Sequence, residues 1–229
     1  MKKTFLSWSS GKDAAMALYH LQQQQEYEVQ HLITTVNSHY DRVTMHGLRK
    51  ELLIKQIEAI SIPHSVISLP EQPSMEEYES LLGSTMSDLK AKGFTHAAFG
   101  DIFLEDLKEY RDNQLANLGL LSTYPLWKKD TKALIKEFIS LGFKAVVVAA
   151  NAELLDSSFS GRVIDETFIE DLPNNVDPCG ENGEFHTFCF DGPIFERSIH
   201  FEVGETITRS YPSPSESNKS VDFWFCDLK

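Results

Sequence analysis

A chain of 229 residues is long enough for one α/β domain with a smaller lobe attached, and it can bury a substantial core without a partner. Its 34 Asp and Glu outnumber its 21 Lys and Arg, and the formal charge of −13 repels phosphate polymers and anionic membrane surfaces, which excludes general nucleic-acid binding. A pocket for a single nucleotide stays allowed, because a helix N-terminus and Mg²⁺ neutralise phosphates whatever the net charge.

Hydrophobic period and chain breakers predict a strand at residues 4–8, a turn through Gly11, and a helix over 12–25 with Ala14, Ala15, Ala17, Leu18 and Leu21 on its packing face. A strand over 31–36 leads through a polar loop to a helix over 48–60, where Leu52, Leu53, Gln56 and Ile57 keep helical spacing. A third strand over 65–69, a break at 70–74 and a helix over 75–92 follow; Gly93 ends that helix ahead of an apolar run at 96–99. This alternation implies a parallel sheet wrapped by helices. A helix over 104–118, Tyr124-Pro125-Leu126-Trp127, a helix over 131–141 and a strand over 144–150 continue it.

The alternation fails after Asn151, where short helical pieces, a loop over 173–184, and strands near 185–190, 198–203 and 221–226 take over. The boundary is drawn at Trp127, giving an α/β domain over 1–127 and a C-terminal lobe over 128–229. Residues 210–220, with two prolines and five serines, read as a surface loop or hairpin connection. Cys179, Cys189 and Cys226 form no CxxC pair and are odd in number, against a disulfide framework or zinc knuckle. The basic, then apolar start is too short for a signal-peptide core, and no apolar run reaches the ~20 residues of a spanning helix. A cytoplasmic protein away from membranes is expected, with its oligomeric state left open, a homo-oligomer included.

The first strand delivers the chain into Ser9-Ser10-Gly11-Lys12-Asp13 at the start of a helix. Such an end leaves N–H groups unpaired and carries roughly half a positive charge, so a phosphate placed there meets several donors. Gly11 keeps a Cβ out of the way, Ser9 and Ser10 add hydroxyls, Lys12 adds charge, and Asp13 caps the helix or holds Mg²⁺. The plainer alternative is a βα turn whose polar residues only cap. Gly100-Asp101, at a strand C-terminus, has the same two readings: Asp101 contacts Mg²⁺ or ribose, or it caps the next helix. Glu181, Glu184 and His186 fall at i, i+3 and i+5 around Gly183, a spacing that an irregular loop entering a strand can bring to one point. Carboxylates there would hold ammonium and take its proton, with His186 assisting; a charged surface hairpin and a metal site are the alternatives.

Neither P-loop nor dinucleotide-fingerprint spacing occurs. The loop instead resembles the Ser-Gly-Gly-x-Asp-Ser pyrophosphate loop of N-type ATP pyrophosphatases, adenine nucleotide alpha hydrolase-like proteins of the HUP class, with Ser10 replacing a glycine and Ala14 the final serine. Met45-His46-Gly47, Ala98-Phe99-Gly100-Asp101-Ile102 with Tyr110-Arg111, Tyr124-Pro125-Leu126-Trp127, and Cys179-Gly180-Glu181-Asn182-Gly183-Glu184-Phe185-His186-Thr187 resemble, in order, blocks of the diphthine-ammonia ligase-like family. The last is most similar to bacterial members, which do not make diphthamide, so a carboxylate other than diphthine is implied as acceptor.

The resemblance implies a HUP-type (Rossmann-like) parallel sheet with a smaller α+β lobe, and a ligase that adenylates a carboxylate with ATP and Mg²⁺, releases pyrophosphate and amidates with ammonia. It also implies that Arg111 grips a phosphate or the acceptor carboxylate and that His46 lines the nucleotide pocket; for Arg111 a solvated helix face is the plain alternative. Two rival functions remain. A nucleotide-binding sensor or regulator that has lost turnover is suggested by Ala14; a tRNA-modifying enzyme is opposed by the −13 charge and by cysteines unsuited to sulfur transfer.

Overall fold

The computed structural model describes residues 1–44, 46–212 and 220–229. Thr4, Phe5 and Leu6, fully enclosed, form the middle of β1 (Lys2–Ser7), the strand from which the main sheet is built outward. It leads into α1 (Lys12–Gln23), whose Ala14, Ala15, Met16, Ala17, Leu18 and Leu21 are all buried, and then β2 (Tyr27–Asn37). A two-residue β3 (Arg42–Val43), α2 (Lys50–Ile60), β4 (His64–Leu69), α3 (Met75–Ala91), β5 (His96–Ala98), α4 (Glu105–Asn117) and β6 (Leu121–Thr123) complete this half. Helix α3 starts sharply because Ser74 and Glu77 form a reciprocal capping box.

The parallel strands lie in the order β4-β2-β1-β5-β6, and β3 pairs antiparallel with the end of β2. From β1 the chain moves to β2 on one side, and from β5 to β6 on the other. The strand order therefore reverses between β1 and β5, and the crevice beyond their carboxyl ends is where ligands bind in open α/β sheets.

The second half contains α5 (Thr131–Ser140), β7 (Lys144–Asn151), α6 (Glu166–Asp171), β8 (Phe185–Asp191), β9 (Val203–Pro212) and β10 (Ser220–Leu228). Its four strands form a separate antiparallel sheet ordered β8-β7-β10-β9. One hydrophobic core carries α1 and α2 together with α5, β7 and β8. A second core fills the opposite face of the main sheet beneath α3 and α4.

Four details differ from the sequence reading. Strand β7 leaves the parallel alternation one element early and joins the antiparallel sheet. No strand begins at Ser198; Ile199 enters the core through one backbone bond to Phe190, and β9 starts at Val203. Helix α2 starts at Lys50 because Leu48 is buried and its carbonyl accepts the Val43 N–H. Strands β3 and β6 were too short to leave a period. The expected connection over 210–220 overlaps β9 and β10 at its ends, and its centre, 213–219, lies outside the described residues, as does Met45.

Candidate functional site

At the reversal point opens a cavity of about 800 Å³, bounded by the ends of β1 and β5, the first turn of α1, and residues 180–187 of the second lobe except Glu184. Asp13, Gly100, Asp101, Arg111 and Glu181 stand along one part of its wall. The other end is largely apolar, with Tyr78, Leu82 and Met86 of α3 facing Leu107, Tyr110 and Leu115 of α4. Such a cavity suits a polar group at one end joined to a flat or aliphatic group at the other.

The loop from Ser9 to Asp13 is held from outside as well as by its own Gly11 N–H bond to Ser9 Oγ at 3.3 Å. Gln56, on the buried face of α2, donates Nε2 to the carbonyls of Ser10 and Cys189 and accepts the Trp8 indole N–H at 2.8 Å. The Cys189 N–H also donates to Ser10 O, and Lys12 N–H donates to Thr187 Oγ1 at 3.0 Å. The second lobe thus fixes the Ser9–Asp13 turn. Gly100 is demanded by the same packing: a Cβ there would lie 2.9 Å from the backbone carbon and oxygen of Asp13. A Cβ on Gly11 would meet His46 Cε1 at 2.9 Å and Thr187 at 3.3 Å, so its bareness serves that contact.

Ser9, Asp13 and Ala14 line the cavity, and the N–H groups of a first helical turn have no intrahelical acceptor. Two residues expected on the phosphates point elsewhere. Ser10 adopts φ 71° in the left-handed region, and its hydroxyl is buried without a partner among the described residues, outside the cavity wall. Lys12, 2% exposed, turns its ammonium back to the Asp13 carboxylate at 2.8 Å and to the Cys179 carbonyl. Burial opposes its charge, but Asp13 and the neighbouring groups outweigh it and raise the pKa.

Asp101 pairs with Arg111, whose guanidinium also lies 4.4 Å from the Phe99 ring centre. Burial raises the Asp101 pKa against the pull of Arg111, with Asp13 adding to the rise. Helix α4 begins later, with Leu104 at its cap, so Asp101 does not cap it. Glu181 accepts N–H bonds from Ile102 at 2.6 Å and Phe103 at 3.3 Å, tying the second lobe to the turn after β5. Burial pushes its pKa up to about 7, those two N–H bonds opposing and the charges of Asp13 and Asp101 assisting.

Glu184 does not converge with Glu181 and His186. It is 3% exposed and absent from the cavity wall, and its oxygens accept from the N–H of Asp177 and from the N–H and amide of Asn182 at 2.9–3.0 Å. Those bonds hold the turn that presents Glu181. His186 faces the cavity beside His46, with ring centres 4.9 Å apart. Thr187 and Gln56 are the residues the sequence reading did not assign; a lone polar residue on the apolar face of α2 was the signal for Gln56. Among the described residues no group of three or more His, Cys, Asp or Glu is arranged to hold a metal, and no helix is long and apolar enough to cross a membrane.

A Rossmann-like α/β sheet with its cavity at the strand-order reversal, capped by a small antiparallel lobe, defines the class. Residues 1–122 match the diphthamide synthase N-terminal domain and residues 130–212 the diphthamide synthase C-terminal domain, and the chain belongs to this family. It is 30% identical over 142 residues to the diphthine–ammonia ligase of Danio rerio, covering 59% of this chain and 54% of that protein. For the diphthine–ammonia ligase of Bos taurus the identity is 28% over 146 residues, 61% and 53% of the two chains. The Schizosaccharomyces pombe diphthine–ammonia ligase is 30% identical over 103 residues, 43% of this chain and 17% of that protein. The chain thus spans about half the length of the animal relatives it matches.

Proposed function

We propose that this chain is an ATP-dependent ligase that adenylates a carboxylate, releases pyrophosphate and transfers ammonia to the activated acyl group. The observation that carries this reading is the first turn of α1 opening into a large cavity at the strand-order reversal, with Gly100 packed against it and the second lobe laid across it. Relatives named diphthine–ammonia ligase supply the reaction class. In this reading residues 1–127 form a HUP-type nucleotide domain and residues 128–229 the acceptor side, and the protein works in the cytoplasm.

The triphosphate rests against Ser9 and the Asp13 and Ala14 N–H groups in the first turn of α1, where a fixed dipole stabilises charge without reorganising. Lys12 acts from behind: its ammonium orients Asp13 and the Cys179 carbonyl, locking the loop to the second lobe. Asp13 and Asp101 share the cavity wall, and burial, with a smaller push from the Asp13 charge, raises the Asp101 pKa; two carboxylates so placed fit Mg²⁺ bound by one or two carboxylates together with phosphates. When bound, the ion neutralises charge building on the phosphates. Arg111, held by Asp101 and backed by Phe99, keeps further donors for the acceptor carboxylate or a phosphate. Holding carboxylate and α-phosphate side by side replaces a bimolecular encounter and lowers the barrier by several kcal/mol, ~7–11 in well-oriented cases.

A pyrophosphate-release screen with ATP, Mg²⁺, ammonium and a panel of carboxylates tests the reading. Release that depends on one class of carboxylate supports it. Saturable ATP binding with no release under any carboxylate would instead favour a nucleotide sensor.

A further inference from the structure

One wall of the cavity is built from two histidines to which the steps above give no role. His46 comes from the loop between β3 and α2, and His186 from β8, so the two halves of the chain each contribute one ring. The rings lie 4.9 Å apart and 34° from parallel, both facing the cavity, and Phe223 of β10 backs His186 in a near-parallel stack. His46 Nδ1 stands 3.1 Å from the Thr187 carbonyl. A carbonyl only accepts, so Nδ1 carries the proton and Nε2 presents a lone pair. The His46 ring also abuts Gly11, placing the pair beside the phosphate loop. Burial keeps both rings neutral near pH 7: it pushes the His186 pKa down to about 3, with His46 and Lys12 adding to the fall, and it lowers that of His46. Among the described residues nothing donates to His46 Nε2 or to His186.

We propose that His46 and His186 form the binding site for the amine nucleophile, taking ammonia in its neutral form. This rests on the ligase reading above. Carboxylates would gather ammonium, whose nitrogen has no lone pair for attack; uncharged acceptors favour NH₃, whose three N–H groups need partners. Of the two carboxylates in this loop, Glu184 is committed to Asn182 and Asp177 away from the cavity, and Glu181 gives one oxygen, Oε1, to the turn after β5. The nitrogen lone pair attacks the carbonyl carbon of the acyl-adenylate, and the bond from that carbon to the phosphate oxygen breaks with its electron pair leaving on AMP. One N–H proton passes to His46 Nε2 and from there to solvent.

Two variants spare the packing: His46→Asn keeps a donor toward the Thr187 carbonyl but loses Nε2, and His186→Phe keeps a flat ring between His46 and Phe223. With ATP and the carboxylate that gives most pyrophosphate, each is expected to raise the apparent KM for ammonium about tenfold or more while that for ATP moves less than about threefold. Equal rises for both substrates would place the histidines on the phosphates, and an unchanged ammonium KM would also overturn the proposal. A second arm needs no turnover. Titrating ¹⁵N-histidine-labelled protein with ammonium chloride, against sodium chloride at equal ionic strength and pH 8.5, should shift these two imidazoles saturably; no shift contradicts the site. If no carboxylate supports pyrophosphate release, the ligase reading fails by itself, and the titration still decides for or against the amine site.

Discussion

Replacing Gly100 by alanine asks whether the Ser9–Asp13 loop is as tightly seated as the structure has it. The new Cβ would sit 2.9 Å from the carbonyl carbon and oxygen of Asp13 and 3.1 Å from Ala14 N. These are backbone atoms of the first helical turn, not flexible side-chain ends, so relief requires α1 to move away from β5 by roughly half an ångström, and overpacking of this kind costs about 1–3 kcal/mol. In a chain of this length each kcal/mol lowers Tm by about 2–4 °C, so a cost near 2 kcal/mol predicts a fall of about 4–8 °C. The same movement misaligns the donors proposed to receive the phosphates, and ATP should bind at least about tenfold more weakly. Gly83→Ala is the internal control: Gly83 lies within α3 with nothing within 4 Å of an added Cβ, so helix propensity alone should stabilise by about 1 kcal/mol. Scanning calorimetry and titration calorimetry with MgATP on both variants read the two effects. A Gly100→Ala protein with the parental Tm and ATP affinity would refute the close approach on which the site rests.

Ser10→Gly should stabilise, since it relieves a left-handed residue worth about 1–2 kcal/mol and removes a buried hydroxyl without a partner, against about 0.5–1 kcal/mol of added chain entropy; calorimetry should show Tm higher by about 2–8 °C. Glu184→Gln presents an amide N–H₂ to N–H donors, so it should destabilise the turn over 177–184 by about 2 kcal/mol and lower ATP affinity and turnover together. Loss of turnover at parental affinity would return Glu184 to a chemical role. Asp227 is held by Arg49 and Arg42, whose hydrogen bonds bring its pKa from 3.8 down to about 2. A depressed carboxylate stabilises the fold above its unfolded pKa, and that contribution disappears as pH falls through the folded one. Asp227→Asn should therefore cost about 2 kcal/mol at pH 7, less what solvent screening removes, with the gap to the parent closing between pH 4 and 2 in denaturant titrations.

Much of the first half was legible because its signals are local. The apolar runs of β1 and β2, the alanine face of α1 and Gly93 after α3 each act within a few residues. The sheet to which β7 belongs was not legible, since the buried run from Ala145 to Ala150 reads alike in a parallel or an antiparallel setting. In the site, Ser9, Asp13, Gly100 and Asp101, which follow β1 and β5, and Glu181, in the loop entering β8, line one cavity. The side chains that turned away did so for reasons of tertiary packing and local bonding. Lys12 meets a carbonyl 167 residues on, Ser10 is shut in by packing, and Glu184 is claimed by N–H groups of its own loop, which spacing alone does not disclose.

Adenylation of the acceptor is tested most directly by oxygen transfer. With the carboxylate that best supports pyrophosphate release carrying ¹⁸O in both oxygens, mass spectrometry of the AMP formed during amidation should find one ¹⁸O in its phosphoryl group. Label appearing instead in inorganic phosphate alongside ADP, or AMP labelled only from ¹⁸O-water, would contradict an acyl-adenylate and with it the proposed ligase.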